Sequence, residues 1–144
     1  MGLYIDTSCL LKIIFPEPES ARVSTLCAAE SRVVVSSLSK LEAAVQINAR
    51  LAGKSLTKTS AARIRAKLDS ILAMAPFEVV VFPPVAVEAA ESQVSLDRRP
   101  IHCRTLDRLH LATMEMLGLT RILTNDDIQA RAAAALGYDV LFPR

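Results

Sequence analysis

The sequence predicts an α/β protein, a three-layer α/β/α sandwich with a central, parallel, five-stranded sheet. Five short apolar runs, rich in β-branched residues, alternate along the chain with longer segments of helical periodicity. The apolar runs are mostly continuous, as is typical of strands buried on both faces of a sheet. Strands that are joined through helices lie parallel and take helices on both faces of the sheet.

Each element follows from local pattern and punctuation. Pro16 and Pro18 separate the first two helices, and Gly53, Gly118 and Gly137 stand where helices end. We expect strands over residues 2–5, 32–35, 78–82, 121–124 and 139–142. We expect helices over residues 8–14, 19–30, 38–51, 60–75, 85–96, 106–117 and 127–136.

Composition limits the class of protein. The 144 residues are enough for one domain, residues 1–144, and the 51% apolar and 22% charged content is ordinary for a globular chain. Tryptophan is absent and the aromatic content is only 4%, so base stacking on aromatic side chains is a poor candidate for a binding mode. A formal net charge of +2 neither requires nor excludes a nucleic-acid partner.

The cysteines and the apolar runs indicate the compartment. Cys9, Cys27 and Cys103 are far apart and odd in number, which argues against a disulfide framework or a zinc knuckle. The opening residues have no basic stretch leading into a long apolar one, and no apolar run approaches the length of a membrane span. We therefore expect a reduced, cytoplasmic protein with no membrane association.

Acidic side chains follow two of the predicted strands. Asp6 and Ser8 come after the first strand, and Asn125, Asp126 and Asp127 come after the fourth. Ligands of open parallel sheets bind beyond the carboxyl ends of the strands, where these residues would lie. Helix capping is an adequate alternative for Ser8, Asn125 and Asp127. It explains Asp6 less well, because Asp6 lies two residues before the predicted start of the helix.

Two more carboxylates lie near the starts of helices. Glu42 interrupts an apolar stripe formed by Leu38, Val45 and Ala49, and Asp107 begins a second stripe in the sixth helix. A carboxylate on a buried stripe is unfavourable unless it is paired or binds a cation. A structural ion pair with a nearby arginine is the alternative explanation for each of them.

If the first and fourth strands are neighbours, the four carboxylates Asp6, Glu42, Asp107 and Asp126 meet at one edge of the sheet. Such a cluster suits Mg²⁺ or Mn²⁺, which can activate a water for attack on phosphorus. His110, one turn after Asp107, is expected to be a packed, hydrogen-bonded residue rather than a base. The arginines near Asp107 could bind a phosphate backbone or form a solvated face; they are Arg98, Arg99, Arg104 and Arg108.

With these residues in place, the chain resembles the PIN-domain nucleases and, within them, the VapC toxins of bacterial toxin–antitoxin pairs. The resemblance covers nearly the whole chain in the order and spacing of its motifs. The matching segments are YIDTSCLLKI with Asp6 and Ser8, SSLSKLEAA with Glu42, RTLDRLHLATM with Asp107, and LTNDDIQARAAAALGYDVL with Asp126.

The resemblance implies a metal-dependent endoribonuclease that hydrolyses RNA and inhibits translation. The catalytic and metal-binding quartet would be Asp6, Glu42, Asp107 and Asp126, which would bind Mg²⁺ or Mn²⁺. Ser8 and Asn125 would support the site, and whether Asp126 or Asp127 is the fourth acid stays open. The resemblance further implies a homodimer and a VapB-like antitoxin that inserts into the active-site groove and grips the arm formed by residues 42–75.

Other functions are less consistent with the sequence. A phosphotransfer receiver domain needs an aspartate at the end of the third strand, where this chain has Phe82, Pro83 and Pro84. A phosphatase with an aspartyl nucleophile needs a second acid two residues after the first, where this chain has Ser8. The remaining alternatives are a non-catalytic PIN scaffold that binds other proteins and a stand-alone PIN nuclease without an antitoxin.

Overall fold

The structure is a computed structural model that describes residues 2–144. These residues form a five-stranded sheet in the order β3-β2-β1-β4-β5, and every neighbouring pair of strands is parallel. The predicted fold class is confirmed. The strands are β1 (Leu3–Ile5), β2 (Val33–Ser36), β3 (Phe77–Val80), β4 (Arg121–Leu123) and β5 (Asp139–Leu141).

All seven predicted helices are present, with ends that shift by up to three residues. The fifth ends earlier than predicted, because Ser95 is extended (φ −60°, ψ 145°) and a separate 3-10 helix follows at Leu96–Arg98. The helices are α1 (Thr7–Ile14), α2 (Ser20–Ala28), α3 (Ser37–Ala52), α4 (Lys58–Leu72), α5 (Ala86–Gln93), α6 (Thr105–Leu117) and α7 (Asp127–Ala135).

The hydrophobic core has two main parts, one on each face of the sheet, and a smaller cluster of alanines between α5 and α6. Along β1, Leu3 and Ile5 pack into the part that includes α1 to α4, whereas Tyr4 packs with Leu111 of α6 and Ala133 of α7. This alternation is the period of two expected for a strand. It places the sheet between two helical layers. That residues 1–144 make one domain stays a prediction, and Met1 lies outside the described residues.

The edge strands differ from the prediction that strands are buried on both faces. In β3, Glu78 and Val79 are exposed, and Asp139 of β5 is exposed as well. An edge strand has a neighbour on only one side, so polar residues are tolerated there. Arg32 donates to Glu78 at 2.6 Å across this edge. The prediction of continuous burial is therefore right for β1 and β2 and wrong for the two edge strands.

The strand order reverses between β1 and β4, which pair through Tyr4 with Ile122 and Ile5 with Leu123. The condition that the first and fourth strands are neighbours is therefore met. A reversal of this kind opens a crevice at the carboxyl ends of the strands. Elsewhere, the three cysteines are free and buried, and no helix within residues 2–144 has the length and apolar character needed to cross a membrane.

Candidate active site at the carboxyl edge of the sheet

Asp6 lies where β1 ends and is 5% exposed. Its Oδ1 accepts hydrogen bonds from the Ser8 hydroxyl at 2.6 Å and from the Cys9 amide at 3.2 Å, so Asp6 is the N-cap of α1. The expectation that capping explains Asp6 poorly is wrong, because α1 begins at Thr7 and not at Ser8. Burial raises the pKa of Asp6, although Ser8 and Thr124 donate to its charged form.

Thr124 is a site residue that the sequence analysis did not select. It directly follows β4, and its hydroxyl donates to Oδ2 of Asp6 at 2.5 Å while accepting from the Asp126 amide at 3.1 Å. Ser8 joins the same network, because its hydroxyl accepts from the Asn125 amide at 3.0 Å. Thr124 therefore connects the acids at the ends of β1 and β4. Its position directly after a strand is the signal that could have identified it.

Asp126 and Asp127 lie in different surroundings although they are adjacent in sequence. Asp126 is the N-cap of α7, and its Oδ1 accepts from the amides of Ile128 and Gln129 at 2.8 and 3.0 Å. Its Oδ2 remains directed to the site, where Arg104 donates to it at 3.3 Å. Asp127 is exposed and pairs with Arg144 instead. The geometry thus favours Asp126 as the member of the cluster.

Arg144 also accounts for the side chain of Asn125. Its Nε donates to Oδ1 of Asn125 at 2.9 Å. The backbone N–H of Asn125 is the group that contacts the site, because it donates to the Ser8 hydroxyl. The support expected from the Asn125 side chain is therefore not seen in this arrangement, whereas Ser8 contacts Asp6 as expected.

Arg104 bridges two of the carboxylates from the residue before α6. Its Nε donates to Oδ2 of Asp107 at 2.9 Å, and its Nη2 lies 3.4 Å from Oδ1 of Asp107 and 3.3 Å from Oδ2 of Asp126. Asp107 is 8% exposed, whereas the Arg104 side chain is 72% exposed. The hydrogen bond and charge of Asp107 raise the pKa of Arg104, and the charges of Asp126 and Glu42 contribute to this shift. One guanidinium is thus attracted to three of the four acids.

Glu42 is held by a hydrogen-bond relay that starts in the core. His110, 2% exposed, lies 2.5 Å from Tyr4 Oη through its Nδ1 and 2.5 Å from Oε1 of Glu42 through its Nε2. Burial raises the pKa of Tyr4, so the hydroxyl keeps its proton and donates to Nδ1. The Nε2–H of His110 then donates to Glu42. His110 is therefore a packed, hydrogen-bonded residue, as expected, and it also orients a member of the quartet.

Thr7 completes the environment of Glu42 by donating to the same Oε1 at 2.9 Å. Burial opposes the charged form of Glu42, but the hydrogen bonds from His110 and Thr7 and the charge of Arg104 outweigh it and lower the pKa. Oε2 of Glu42 accepts no hydrogen bond from any described residue. This oxygen is free to bind a ligand.

The helix face that carries Glu42 is not buried, contrary to the prediction. The core face of α3 consists of Ser39, Ala43 and Ile47, whereas Leu41 and Val45 beside Glu42 are 60% and 55% exposed. Leu41, Glu42 and Val45 line a groove of about 340 Å³ that we call the acid groove. A stripe of apolar residues predicts a helix face that packs against other residues, but it does not show whether those residues belong to the same chain or to a partner. The acid groove is lined by Thr7, Ser8, Leu11, Leu38, Leu41, Glu42, Val45, Gln46, Arg104 and Leu106.

The four carboxylates lie at one edge but do not converge on a single point. Within residues 2–144, no group of three or more His, Cys, Asp and Glu side chains is arranged to hold a metal ion. The donor chemistry nevertheless fits Mg²⁺ or Mn²⁺, since these ions take carboxylate oxygens. The guanidinium of Arg104 already supplies positive charge between Asp107 and Asp126. A metal held by these residues would have to replace its contacts.

Arg108, predicted with Arg104 to bind RNA, is placed differently. It is 5% exposed and donates to Oε1 of Gln93 at 3.3 Å and to the Ile101 carbonyl at 2.6 Å. It therefore lies away from the carboxylates, although it follows Asp107 in sequence. Arg104 is the cation of this pair that lies at the candidate active site.

Comparison with known protein families identifies the family to which this chain belongs. The family model named PIN domain matches residues 3–135. The chain belongs to the PIN-domain family. The resemblance inferred from the motifs is confirmed, whereas the roles of the four carboxylates stay a prediction.

Known proteins of similar sequence and structure are VapC proteins and VapBC complexes. The chain is 29% identical over 144 residues to "Ribonuclease VapC46" of Mycobacterium tuberculosis (strain ATCC 25618 / H37Rv), covering 99% of this chain and 98% of that protein. It shares the fold of VapBC2 from Rickettsia felis, solved bound to a promoter DNA fragment, with a TM-score of 0.71, 16% identity, and coverage of 99% and 98%. It also shares the fold of VapC20 of Mycobacterium tuberculosis, described as a sarcin-ricin loop cleaving toxin, with a TM-score of 0.66, 18% identity, and coverage of 90% and 94%.

Proposed function

We propose that this PIN domain is a metal-dependent endoribonuclease and the toxin of a toxin–antitoxin pair, acting on RNA in the cytoplasm and inhibiting translation. The observation that carries the proposal is that the four acids lie at one edge of the sheet, where Thr124 connects Asp6 to Asp126 and Arg104 bridges Asp107 and Asp126. The full-length similarity to a ribonuclease of the VapC class supports the assignment. We propose the four acids as the catalytic residues and metal ligands.

Each residue has a distinct role in this proposal. Ser8 and Thr124 orient the carboxylate of Asp6, and His110 orients that of Glu42. Oε2 of Glu42 is available to hold the water whose proton must be removed, or to bind the metal. A bound Mg²⁺ or Mn²⁺ would supply Lewis acidity and lower the pKa of that water. Arg104 is exposed enough to leave the acids and contact a backbone phosphate.

RNA cleavage by the purified protein tests the proposal. We expect cleavage with Mg²⁺ or Mn²⁺ and its loss on addition of EDTA. Asp6→Asn and Asp107→Asn should reduce the rate by about 100-fold or more, since metal catalysis contributes several kcal/mol. Both variants keep the shape of the side chain, and Asn caps α1 as well as Asp does. Equal rates for parent and variants would contradict the assignment of catalysis to these acids, and no cleavage by the parent would favour the non-catalytic scaffold.

Metal binding can be measured without activity. Mn²⁺ should raise the melting temperature (Tm) of the parent, because a ligand of the folded state stabilises it. Asp6→Asn should show a smaller rise, and Lys58→Gln, an exposed residue at the start of α4, should behave as the parent does. An equal rise in all three proteins would contradict a metal site at Asp6.

The toxin assignment requires a partner, and the acid groove fits one. Its lining is mostly apolar and carries one acid, Glu42, and one cation, Arg104, so it suits an extended antitoxin segment that has apolar residues and a charged group. We propose a VapB-like antitoxin in this groove, with α3 and α4 as the arm that it grips, and a homodimeric toxin. An adjacent small gene for a DNA-binding protein supports a toxin, whereas its absence favours a stand-alone nuclease. Expression of the chain alone should arrest bacterial growth, and expression of Asp6→Asn should not.

A further inference from the structure

A second polar pocket lies between α6, α7 and the segment after α5. Its volume is about 130 Å³, and Arg98, Arg99 and Arg108 are among the residues that line it. We propose that this pocket, which we call the arginine pocket, binds a phosphate group. The proposal extends the proposed function, because an RNA backbone is the source of phosphate that it most directly suggests.

Arg108 is the central observation. Its guanidinium is buried, yet its two hydrogen-bond partners are uncharged, namely Oε1 of Gln93 and the carbonyl of Ile101. Its Nε has no partner among the described residues. A buried cation without a counter-charge is unfavourable, and an anion in the pocket would offset that cost. Arg108 forms no ion pair with a carboxylate of the described residues. The Glu115 carboxylate is one residue further away, because it accepts a hydrogen bond from Nε2 of Gln93 at 2.8 Å.

Arg98 and Arg99 add charge at the mouth of the pocket. Both are exposed, and neither forms an ion pair in the part of the chain that the structure describes. The nearest acid in sequence, Asp97, does not line the pocket. By contrast, Arg104, Arg121 and Arg144 are each paired with a carboxylate. Arg22, Arg63, Arg65 and Arg131 also lack an ion pair among the described residues, but Arg98 and Arg99 are two unpaired arginines that line the same pocket as a buried one.

The size and position of the pocket restrict the ligand. Pockets for small molecules begin at roughly 300 Å³, so this one suits a single phosphate and not a whole nucleotide. Ala132 and Ala135 of its lining lie six and nine residues after Asp126 on the same chain segment. At about 1.5 Å per residue, the pocket is on the order of 10 Å from the acids. A phosphate there would belong to a nucleotide flanking the cleaved bond.

The first experiment measures phosphate binding without RNA. The full chain is melted in inorganic phosphate and in chloride at equal ionic strength. We expect phosphate to raise the Tm of the parent and of the control Arg63→Gln/Arg65→Gln, which removes the same charge from exposed positions on α4. The exposed pocket variant Arg98→Gln/Arg99→Gln should lose most of this rise, and it avoids the risk that an Arg108 variant fails to fold.

The second experiment measures binding of labelled single-stranded RNA in EDTA, where cleavage does not occur. The slope of log affinity against log salt is negative. In the pocket variant its magnitude should be smaller by about 0.7 for each RNA phosphate that the variant no longer binds. The control variant should keep the slope of the parent. Together with a loss of the phosphate effect on Tm, this result supports an RNA phosphate in the pocket.

The remaining outcomes are equally decisive. A phosphate effect that depends on Arg98 and Arg99, combined with equal RNA slopes, assigns the pocket to a free phosphate and overturns its role in RNA binding. No phosphate effect together with equal slopes overturns the pocket itself. Failure of the parent to cleave RNA with Mn²⁺ would contradict the proposed nuclease but would leave the result of the phosphate measurement unchanged.

Discussion

At the scale of single residues, neighbours in sequence have unrelated surroundings. Asp126 directs one oxygen to the amides of α7 and the other to Arg104, whereas Asp127 contacts Arg144 outside the cluster. The same separation holds for Asp107 and Arg108, which lie on different sides of α6. A helix turns by about 100° per residue, so adjacent side chains diverge.

The pair of aspartates gives a sharp prediction. Asp126→Asn should reduce RNA cleavage by about 100-fold or more, because it removes a proposed metal ligand while keeping the helix cap. Asp127→Asn is the matched control and should keep activity within a few-fold of the parent. Cleavage rates of the two purified variants measure the difference. The reverse order would assign the fourth acid to Asp127.

The relay from Tyr4 through His110 to Glu42 predicts how stability depends on pH. Because the contacts outweigh burial and lower the pKa of Glu42 below its ordinary value of 4.5, the folded state favours the charged form. That contribution is present above the pKa of the unfolded chain and is lost as pH falls through the folded pKa.

Urea unfolding in EDTA checks this expectation. The parent should exceed Glu42→Gln in unfolding free energy by about 1–2 kcal/mol near pH 6, as for hydrogen bonds to charged groups. The difference should shrink as pH falls below 4.5 and through the lowered pKa of the folded state, where the carboxyl group takes up its proton. A difference that stays constant over this range would contradict the pKa shift.

At the scale of elements, helix termini place the site. Asp6 begins α1, Asp107 lies in the first turn of α6, and Asp126 begins α7. Amide groups at these termini favour negative charge, which reduces the cost of crowding three aspartates. At the opposite end of α6, the C-cap residue Gly118 adopts the left-handed conformation (φ 68°). The chain turns there from α6 towards β4.

Gly118 therefore carries a prediction at this scale. Gly118→Ala should lower the unfolding free energy by about 1 kcal/mol, because a side chain is strained at positive φ, and the space around it is open. Gly118→Asn should cost less, since Asn tolerates this conformation. Denaturant unfolding measures both. Equal stability of the Ala variant and the parent would contradict the left-handed cap, and both variants should cleave RNA normally.

At the scale of the whole molecule, exposed apolar residues surround Glu42 at the groove that we propose for an antitoxin. If the acid groove binds an antitoxin, Leu41→Glu should abolish protection by that antitoxin, because it places a charge on an apolar wall. The side chain is exposed, so the fold should persist. RNA cleavage should also persist.

Leu96→Glu is the control for this prediction, because Leu96 is 92% exposed and lies outside the groove. Growth of cells that co-express toxin and antitoxin gives the readout, and co-elution of the two proteins gives the physical measurement. Protection that survives Leu41→Glu would place the antitoxin elsewhere.

Local patterns along the chain were sufficient to predict the sheet, the seven helices and the identity of the candidate acids. Those features depend on periodicity, on glycine and proline at boundaries, and on short motifs, all of which are legible in the sequence. No local pattern predicts that β1 and β4 are neighbours, and the structure shows that they pair. The metal-ligand roles of the acids stay a prediction.

The partner of each polar group, by contrast, emerged only from the folded structure. Asp6 caps α1, Thr124 connects Asp6 to Asp126, and His110 holds Glu42. Folding also leaves the Glu42 face open to solvent and buries Arg108 without a counter-charge. These contacts join residues up to 118 positions apart in sequence. They depend on strand order and helix packing, which no local pattern in the sequence specifies.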